Sequence, residues 1–186
     1  MRVIAGEFKG RRLKTPNWDG VRPTSDKLRE TLFNILGARV ANARVLDGYA
    51  GTGAVGLEAL SRGAAHVTFV ESDRRAAALI EENARMCGLK RDYTIACADF
   101  LSSRSRVAGT FDLILLDPPY DIENVRQVLE RAATLLSPDG LLVFERATSR
   151  HPDVPSSLEC LRDVRSGDST LTMFRAAASI PPSEPL

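Results

Sequence analysis

Asp117-Pro118-Pro119-Tyr120 sets a carboxylate, two consecutive prolines and a phenol directly after the apolar run Leu113-Ile114-Leu115-Leu116. The prolines fix φ and remove two amide donors, so the turn is stiff and its carbonyls are expected to point outward unpaired. Such a turn could act on the exocyclic amine of a nucleobase, a poor nucleophile because its lone pair is delocalised into the ring. The carboxylate of Asp117 and the carbonyl of Pro118 would draw the two N–H protons out of plane and localise that lone pair. Tyr120 would offer a face on which the base stacks. The same four residues also suit a plain rigid strand-to-helix turn, and alone they do not choose between the two.

A second cluster begins at Asp47 and runs through Gly48-Tyr49-Ala50-Gly51-Thr52-Gly53-Ala54-Val55-Gly56. Its glycines let the backbone turn sharply and approach a ligand, and the helix that follows points its N-terminus to the same place. Gly51, Gly53 and Gly56 fit G-x-G-x-x-G, with Glu71 twenty residues beyond the first, which formally matches a dinucleotide fingerprint. Asp47, standing four residues before Gly51, would repel a pyrophosphate and attract a cation. S-adenosylmethionine carries a sulfonium and an ammonium, and Asp-x-x-x-Gly-x-Gly is similar to the first motif of the class I methyltransferases that use it. On that reading Asp47, Ala50, Gly51 and Gly53 line the cofactor, Glu71 accepts both ribose hydroxyls, and Asp99 with Phe100 faces the adenine. Asp47, Glu71, Asp99 and Asp117 then stand at four successive strand ends, a pattern that isolated loop acids do not make.

The elements that must position these groups follow from periodicity. Arg2 to Lys14, with Gly6 and Gly10, reads as a short hairpin. Thr24 or Ser25 caps a helix striped by Leu28, Leu32, Ile35 and Leu36 and ended by Gly37. Strands are expected at 44–47, 66–70, 93–97, 113–116 and 141–144. The helices between them include one capped by Asp73, and one whose apolar positions Val125, Val128, Leu129, Ala132 and Leu136 repeat at helical spacing. Ser137-Pro138-Asp139-Gly140 reads as a turn into the fifth strand, which ends on Glu145. Leu158–Val164 and Thr170–Phe174 read as a pair of edge strands. The predicted fold is a doubly wound α/β domain with a mostly parallel seven-stranded sheet, Rossmann-like, preceded by the hairpin and helix. Residues 1–40 form the extension, 41–178 the main domain, and 179–186 a disordered tail.

With 186 residues and 44% hydrophobic content, the chain is expected to be one domain with a sizeable core. The net charge of +1 hides an asymmetry. The first thirty residues hold eight basic and four acidic side chains, whereas the rest is slightly acidic. A basic arm carrying Arg2, Lys9, Arg11, Arg12 and Lys14 suits a polyanion such as RNA, and equally a solvated hairpin. The three cysteines and two histidines have no metal-ligand spacing, which argues against a metal site and for reduced thiols. With no apolar leader and no membrane-length segment, a cytoplasmic protein is expected. Nothing in the sequence calls for an obligate dimer, so a monomer is expected.

The pattern (Asp/Asn/Ser)-Pro-Pro-(Tyr/Phe) resembles the fourth motif of amino-group methyltransferases, and a fuller resemblance covers most of the chain through Glu145. The stretches Ile4-Ala5-Gly6 with Gly10-Arg11-Arg12-Leu13, Arg22 through Asn34 (RPTSDKLRETLFN) and Ala50 through Ala64 (AGTGAVGLEALSRGA) are similar to the RsmD family. These are bacterial methyltransferases of guanine N2 in small-subunit (16S) ribosomal RNA. The resemblance implies S-adenosylmethionine as cofactor, and ribosomal RNA or an assembling small subunit as partner. It implies direct in-line transfer to a flipped guanine held by Asp117, Pro118 and Tyr120, with RNA phosphates on the basic arm and Arg22 and Thr24 beside the pocket. The chain departs from the family at Gly48-Tyr49, where Leu or Cys then Phe is usual, and at Thr52, often Ser. Near the C-terminus Ser166-Gly167-Asp168-Ser169 stands for Tyr-Gly-x-Thr. An adenine-N6 methyltransferase, a small NAD-binding oxidoreductase and a catalytically silent RNA-binding module are the competing readings.

Overall fold

The computed structural model describes residues 1–16, 18, 25–103 and 106–178. Seven strands form one sheet in the order β3-β2-β1-β4-β5-β7-β6, with β1 (Arg44–Gly48), β2 (His66–Glu71), β3 (Tyr93–Cys97), β4 (Phe111–Leu116) and β5 (Leu136–Ala147) parallel. The seventh strand, β7 (Ser169–Ala176), runs antiparallel between β5 and β6 (Leu158–Ser166). Helices α1 (Asp26–Leu36), α2 (Ala54–Ser61) and α3 (Arg74–Met86) cover one face, where Leu32, Phe33, Leu57 and Ile80 pack on Val45, Phe69, Leu113 and Leu115. On the other face α4 (Val125–Ala133) brings Val128, Leu129 and Ala132 onto Leu46, Ile114, Leu142 and Phe144. This is the doubly wound, Rossmann-like α/β architecture with a mostly parallel seven-stranded sheet that the alternation of elements predicts.

Local signals place most of the boundaries. Ser25 caps α1, its side chain accepting from Leu28 N at 3.2 Å, and Asp73 caps α3 by accepting from Arg75 N at 2.7 Å. Three expectations are corrected. Leu136 fits the helical stripe, yet α4 stops at Ala133 and Leu136 opens β5, paired with Phe111. A leucine satisfies either element, and pairing with the buried end of β4 prevails. Ser137 to Gly140 accordingly lie within the span of β5, at a register irregularity between Phe111 and Leu113, rather than in a turn before it. Of the C-terminal pair only β6 is an edge strand, charged and mostly exposed. The more apolar β7 is buried along Ser169–Phe174, as a strand with two neighbours must be.

The N-terminal segment doubles back as a hairpin with a single bridge, Arg2 to Arg12, because the amides of Ile4, Ala5, Glu7 and Phe8 find acceptors on α2 instead. Fully buried Glu58 on α2 accepts from Ile4 N at 2.7 Å and Ala5 N at 3.0 Å, and from Arg62 Nε at 2.8 Å. Ser61 Oγ accepts from Phe8 N at 2.9 Å and donates to the Ala5 carbonyl at 2.6 Å. Asn83 on α3 exchanges bonds of 2.8 and 3.1 Å with the backbone of Lys14 and donates to the Thr52 carbonyl at 3.0 Å. A Cβ at Gly6, where φ is +80°, would sit 1.8 Å from the Ser61 carbonyl oxygen, so only glycine lets the arm lie this close. Val3, Phe8 and Leu13 complete the seam by entering the same core as α1–α3.

Candidate active site

Strand order reverses between β1 and β4, and a crevice opens there at the carboxyl ends of the strands. Register sets which acids meet in it. Asp47 pairs with Leu115 and Leu115 with Val143, so Asp117 and Glu145, each two residues further along, emerge on the same face. Asp47, Asp117 and Glu145 together line a narrow crevice of about 20 Å³ beside Leu28, Leu32 and Val55. Glu145 also lines a larger cavity of about 370 Å³ on the α4 side, with Pro118, Tyr120, Phe144 and Arg150 in its wall.

The glycine loop is folded onto these acids by hydrogen bonds. Tyr49 N and Ala50 N both donate to the Val70 carbonyl at 3.0 Å, and Gly56 N donates to Asp47 Oδ2 at 2.8 Å. Gly51, at φ +53°, donates its amide to Glu71 Oε2 at 2.8 Å, while Glu71 Oε1 accepts from Asp73 N at 2.8 Å. Gly53 caps α2 in a left-handed conformation, where a Cβ would press on Ile80 at 3.0 Å. Tyr49 holds φ at 91°, a conformation that costs a non-glycine residue on the order of 1 kcal/mol or more, and its ring packs 5.6 Å from that of Phe100. The departure at Gly48 has a steric cause, because a Cβ there would lie 2.7 Å from Leu116 Cδ2 and 2.9 Å from the Phe100 ring.

The electrostatics suit a cation. Burial, partly offset by the Gly56 amide, and then repulsion from Asp117 and Glu71 push the Asp47 carboxyl up to about 7. Burial and the contact with Asp117 push Glu145 up to about 7 as well. An arriving positive charge or N–H donor would relieve both.

At the Asp117 turn the prolines do not leave every carbonyl open. Pro119 O accepts from Ile122 N at 3.1 Å and Tyr120 O accepts from the Arg150 guanidinium, whereas among the described residues none bonds to Pro118 O. Tyr120 is fixed from both ends, since its hydroxyl lies 2.7 Å from Ser169 Oγ and donates to Glu145 Oε1 at 3.4 Å.

The structure thus brings Asp47, Ala50, Gly51, Gly53, Glu71, Asp117, Pro118 and Tyr120 to one rim. Asp99 is exposed nearby and accepts from Ser102 N at 3.1 Å. Phe100 as a whole is 1% exposed, its ring packed against Tyr49 and its carbonyl accepting from Ser103 Oγ at 2.7 Å, so it lies in the core rather than facing the crevice as expected. Arg22, Thr24 and the 179–186 tail lie outside the described residues. Of the arm cations Arg2, Lys9 and Arg12 are exposed, Arg11 donates to the Met86 carbonyl at 3.0 Å, and Lys14 pairs with Glu82. Among the described residues no group of acids, histidines and cysteines is placed to hold a metal ion, and no helix is long and apolar enough to cross a membrane. Reading the sequence passed over Glu145, Ser169 and the seam residues Glu58 and Asn83. For Glu145 a signal existed, an acid closing a fifth strand beside the strand that ends on Asp117.

Residues 1–175 match the family model described as "Conserved hypothetical protein 95". The ribosomal RNA small subunit methyltransferase D of Haemophilus influenzae is 34% identical over 181 residues, covering 94% of this chain and 93% of that protein. The chain belongs to the RsmD family. Its Escherichia coli K12 relative of the same name is 32% identical over 186 residues, covering 96% of this chain and 91% of the relative. The solved structure of Escherichia coli yhhF superposes with a TM-score of 0.85 at 28% identity, covering 96% of this chain and 98% of that one. The RsmD-family match runs across both the arm and the sheet, so the seam at Glu58 and the rim at Asp117 fall within one shared unit.

Proposed function

We propose that this protein methylates the exocyclic N2 amine of a guanine in small-subunit ribosomal RNA, with S-adenosylmethionine as methyl donor. The observation that carries the reading is the juxtaposition of a cation-seeking crevice, built on Asp47 and Glu71, with the rigid amine-gripping turn Asp117-Pro118-Pro119-Tyr120. Relatives named ribosomal RNA small subunit methyltransferase D, alike over nearly the whole chain, support it.

The residues fit the cofactor. Asp47 sits in a site that disfavours its own charge and so favours a cation, and Glu71 stands where a ribose diol would be accepted. Ala50, Gly51 and Gly53 supply backbone without bulk, Asp99, next to buried Phe100 in the chain, supplies the adenine edge, and Arg22 and Thr24, outside the described residues, are further candidate contacts. When bound, the cofactor supplies an activated methyl group on a sulfonium, so neither a metal nor a covalent enzyme intermediate is required.

The chain's own work is then positioning. Asp117 and the Pro118 carbonyl accept the two N2 protons of a flipped guanine, localise the amine lone pair and aim it for in-line displacement. Tyr120, fixed by Ser169, Glu145 and Arg150, gives the base a wall to stack on. Asp117 or water takes the proton released after transfer. Arg2, Lys9, Arg11, Arg12 and Lys14 on the 1–40 extension contact RNA phosphates. The protein acts as a cytoplasmic monomer. The deciding experiment incubates the protein with labelled methyl donor and ribosomal particles lacking the modification, then digests the RNA to nucleosides. N2-methylguanosine is the expected product, and N6-methyladenosine would replace this reading with the adenine one.

A further inference from the structure

Glu145 has no assigned part in the amine-gripping turn, yet its position is unusual. It is 8% exposed, it lies on β5 on the same face as Asp117, and it lines both the Asp47 crevice and the larger cavity behind Tyr120. Its carboxyl is within hydrogen-bonding reach of Asp117, Ser169 and Tyr120. Two carboxylates this close repel when both are ionised, and the arrangement is relieved if donors from a ligand bridge them.

The Watson–Crick edge of guanine carries such donors, the N1–H directly beside the N2 amine. Adenine carries an amine beside a bare acceptor nitrogen. We propose, on the strength of the function argued above, that Glu145 is a specificity-determining residue that accepts the guanine N1–H while Asp117 and Pro118 hold the N2 amine. The Asp117 turn alone grips an exocyclic amine of either purine, and the second acid makes the site ask for a donor on the neighbouring ring atom. Presented with adenine, the Asp117 turn still grips the amine, but the bare ring nitrogen beside it offers Glu145 no donor. Ser169 and the Tyr120 hydroxyl orient the Glu145 carboxylate. The serine hydroxyl at 169 performs this task although the surrounding Ser166-Gly167-Asp168-Ser169 departs from the family's residues.

The test uses RNA in which the target guanine is replaced by 2-aminopurine, which keeps the 2-amine but has no N1–H. Wild-type protein is expected to favour guanine over 2-aminopurine by about 10- to 100-fold in kcat/KM, the range for losing one hydrogen bond to a charged group. Glu145→Leu should reduce that ratio to within about threefold, mostly by losing rate on guanine, and Glu145→Gln, which retains an acceptor oxygen, should keep part of it. Ser169→Ala serves as the positioning control and should slow both substrates with a smaller change in the ratio. Far-UV circular dichroism melts establish that each variant folds. A wild-type ratio retained in folded Glu145→Leu would overturn the assignment while leaving the guanine reading intact. A wild-type protein yielding no N2-methylguanosine on any substrate would overturn both.

Discussion

The acid in the seam under the N-terminal arm and the acids at the sheet rim are treated in opposite ways. In the seam under the N-terminal arm, Glu58 is fully buried and saturated, with two backbone amides and the Arg62 guanidinium on its oxygens. At the sheet rim, Asp47 accepts one amide, faces Asp117 and Glu71, and is pushed up to about 7. Glu145 is pushed up likewise by burial and by Asp117. A saturated buried acid is a fastener whose removal orphans its partners. An acid left among like charges has been positioned for something else, and the rim is where a cationic or donor-rich ligand recovers what folding gave up.

The sharpest way to break this contrast is to remove one acid from each group. Asp117→Ala should lower methyl transfer by at least about 100-fold while leaving binding of S-adenosylmethionine within a few-fold and the melting temperature unchanged or raised. Radiometric methyl transfer and titration calorimetry read the two quantities, and surviving turnover would remove Asp117 from its role. Glu58→Ala should do the reverse. It strands two buried amides and one guanidinium, for a loss of about 3 kcal/mol, or roughly 6–12 °C in melting temperature for a chain of this size. If Glu58→Ala melted like wild type, the arm would be held by its apolar contacts, Val3, Phe8 and Leu13, rather than by the carboxylate.

The rim was the more legible of the two in the sequence, and the reason is physical. Asp117, Gly51, Gly53 and Glu71 sit at strand ends, where a residue's place in the motif is also its place in space. Local signals such as the Ser25 and Asp73 caps and the glycine loop could be read for the same reason. Glu58 lies in the middle of α2, on a face an amphipathic reading assigns only by polarity, and its partners in the arm, Ile4 and Ala5, are more than fifty residues away in sequence. Glu145 becomes meaningful only through the β4–β5 register, which no local pattern encodes. Leu136 misled because a leucine serves helix and strand alike, and the choice was made by Phe111, a residue in another element.

Asp47 sharpens the contrast through pH. Its carboxyl ordinarily titrates at 3.8 and in the folded protein near 7, so between these values the native state binds more protons than the unfolded chain. Stability contributed by this group is therefore fully present below 3.8 and is lost as pH rises through about 7. Asp47→Asn keeps an acceptor for the Gly56 amide and removes the titration. The variant should be more stable than wild type at pH 8, by up to roughly 4 kcal/mol, and the gap should close toward pH 4. Calorimetric binding of S-adenosylmethionine should weaken by about tenfold in the same variant, the loss of one ionic contact. Equal stability of the two proteins across that range would mean that the crevice is better solvated than its burial implies.

The smallest expected effect concerns the arm, where the seam holds some cations and leaves others for a partner. Arg11 is bonded to the Met86 carbonyl and stacked 5.5 Å from the Phe8 ring, and Lys14 is paired with Glu82. Arg2, Lys9 and Arg12 are exposed, with no ion pair among the described residues. Exposed pairs such as Lys14–Glu82 contribute less than about 1 kcal/mol, so they compete only weakly with phosphate, yet the three others need no rearrangement at all. Changing Lys9 and Arg12 together to glutamine should raise KM for the RNA a few-fold with kcat unchanged. It should also flatten the slope of log affinity against log salt by up to about one for each charge removed. Changing Lys14 alone should flatten it less. If all three positions gave the same slope, the division of the arm into held and available cations would be wrong, and its charge would act as a diffuse field rather than through individual phosphate contacts.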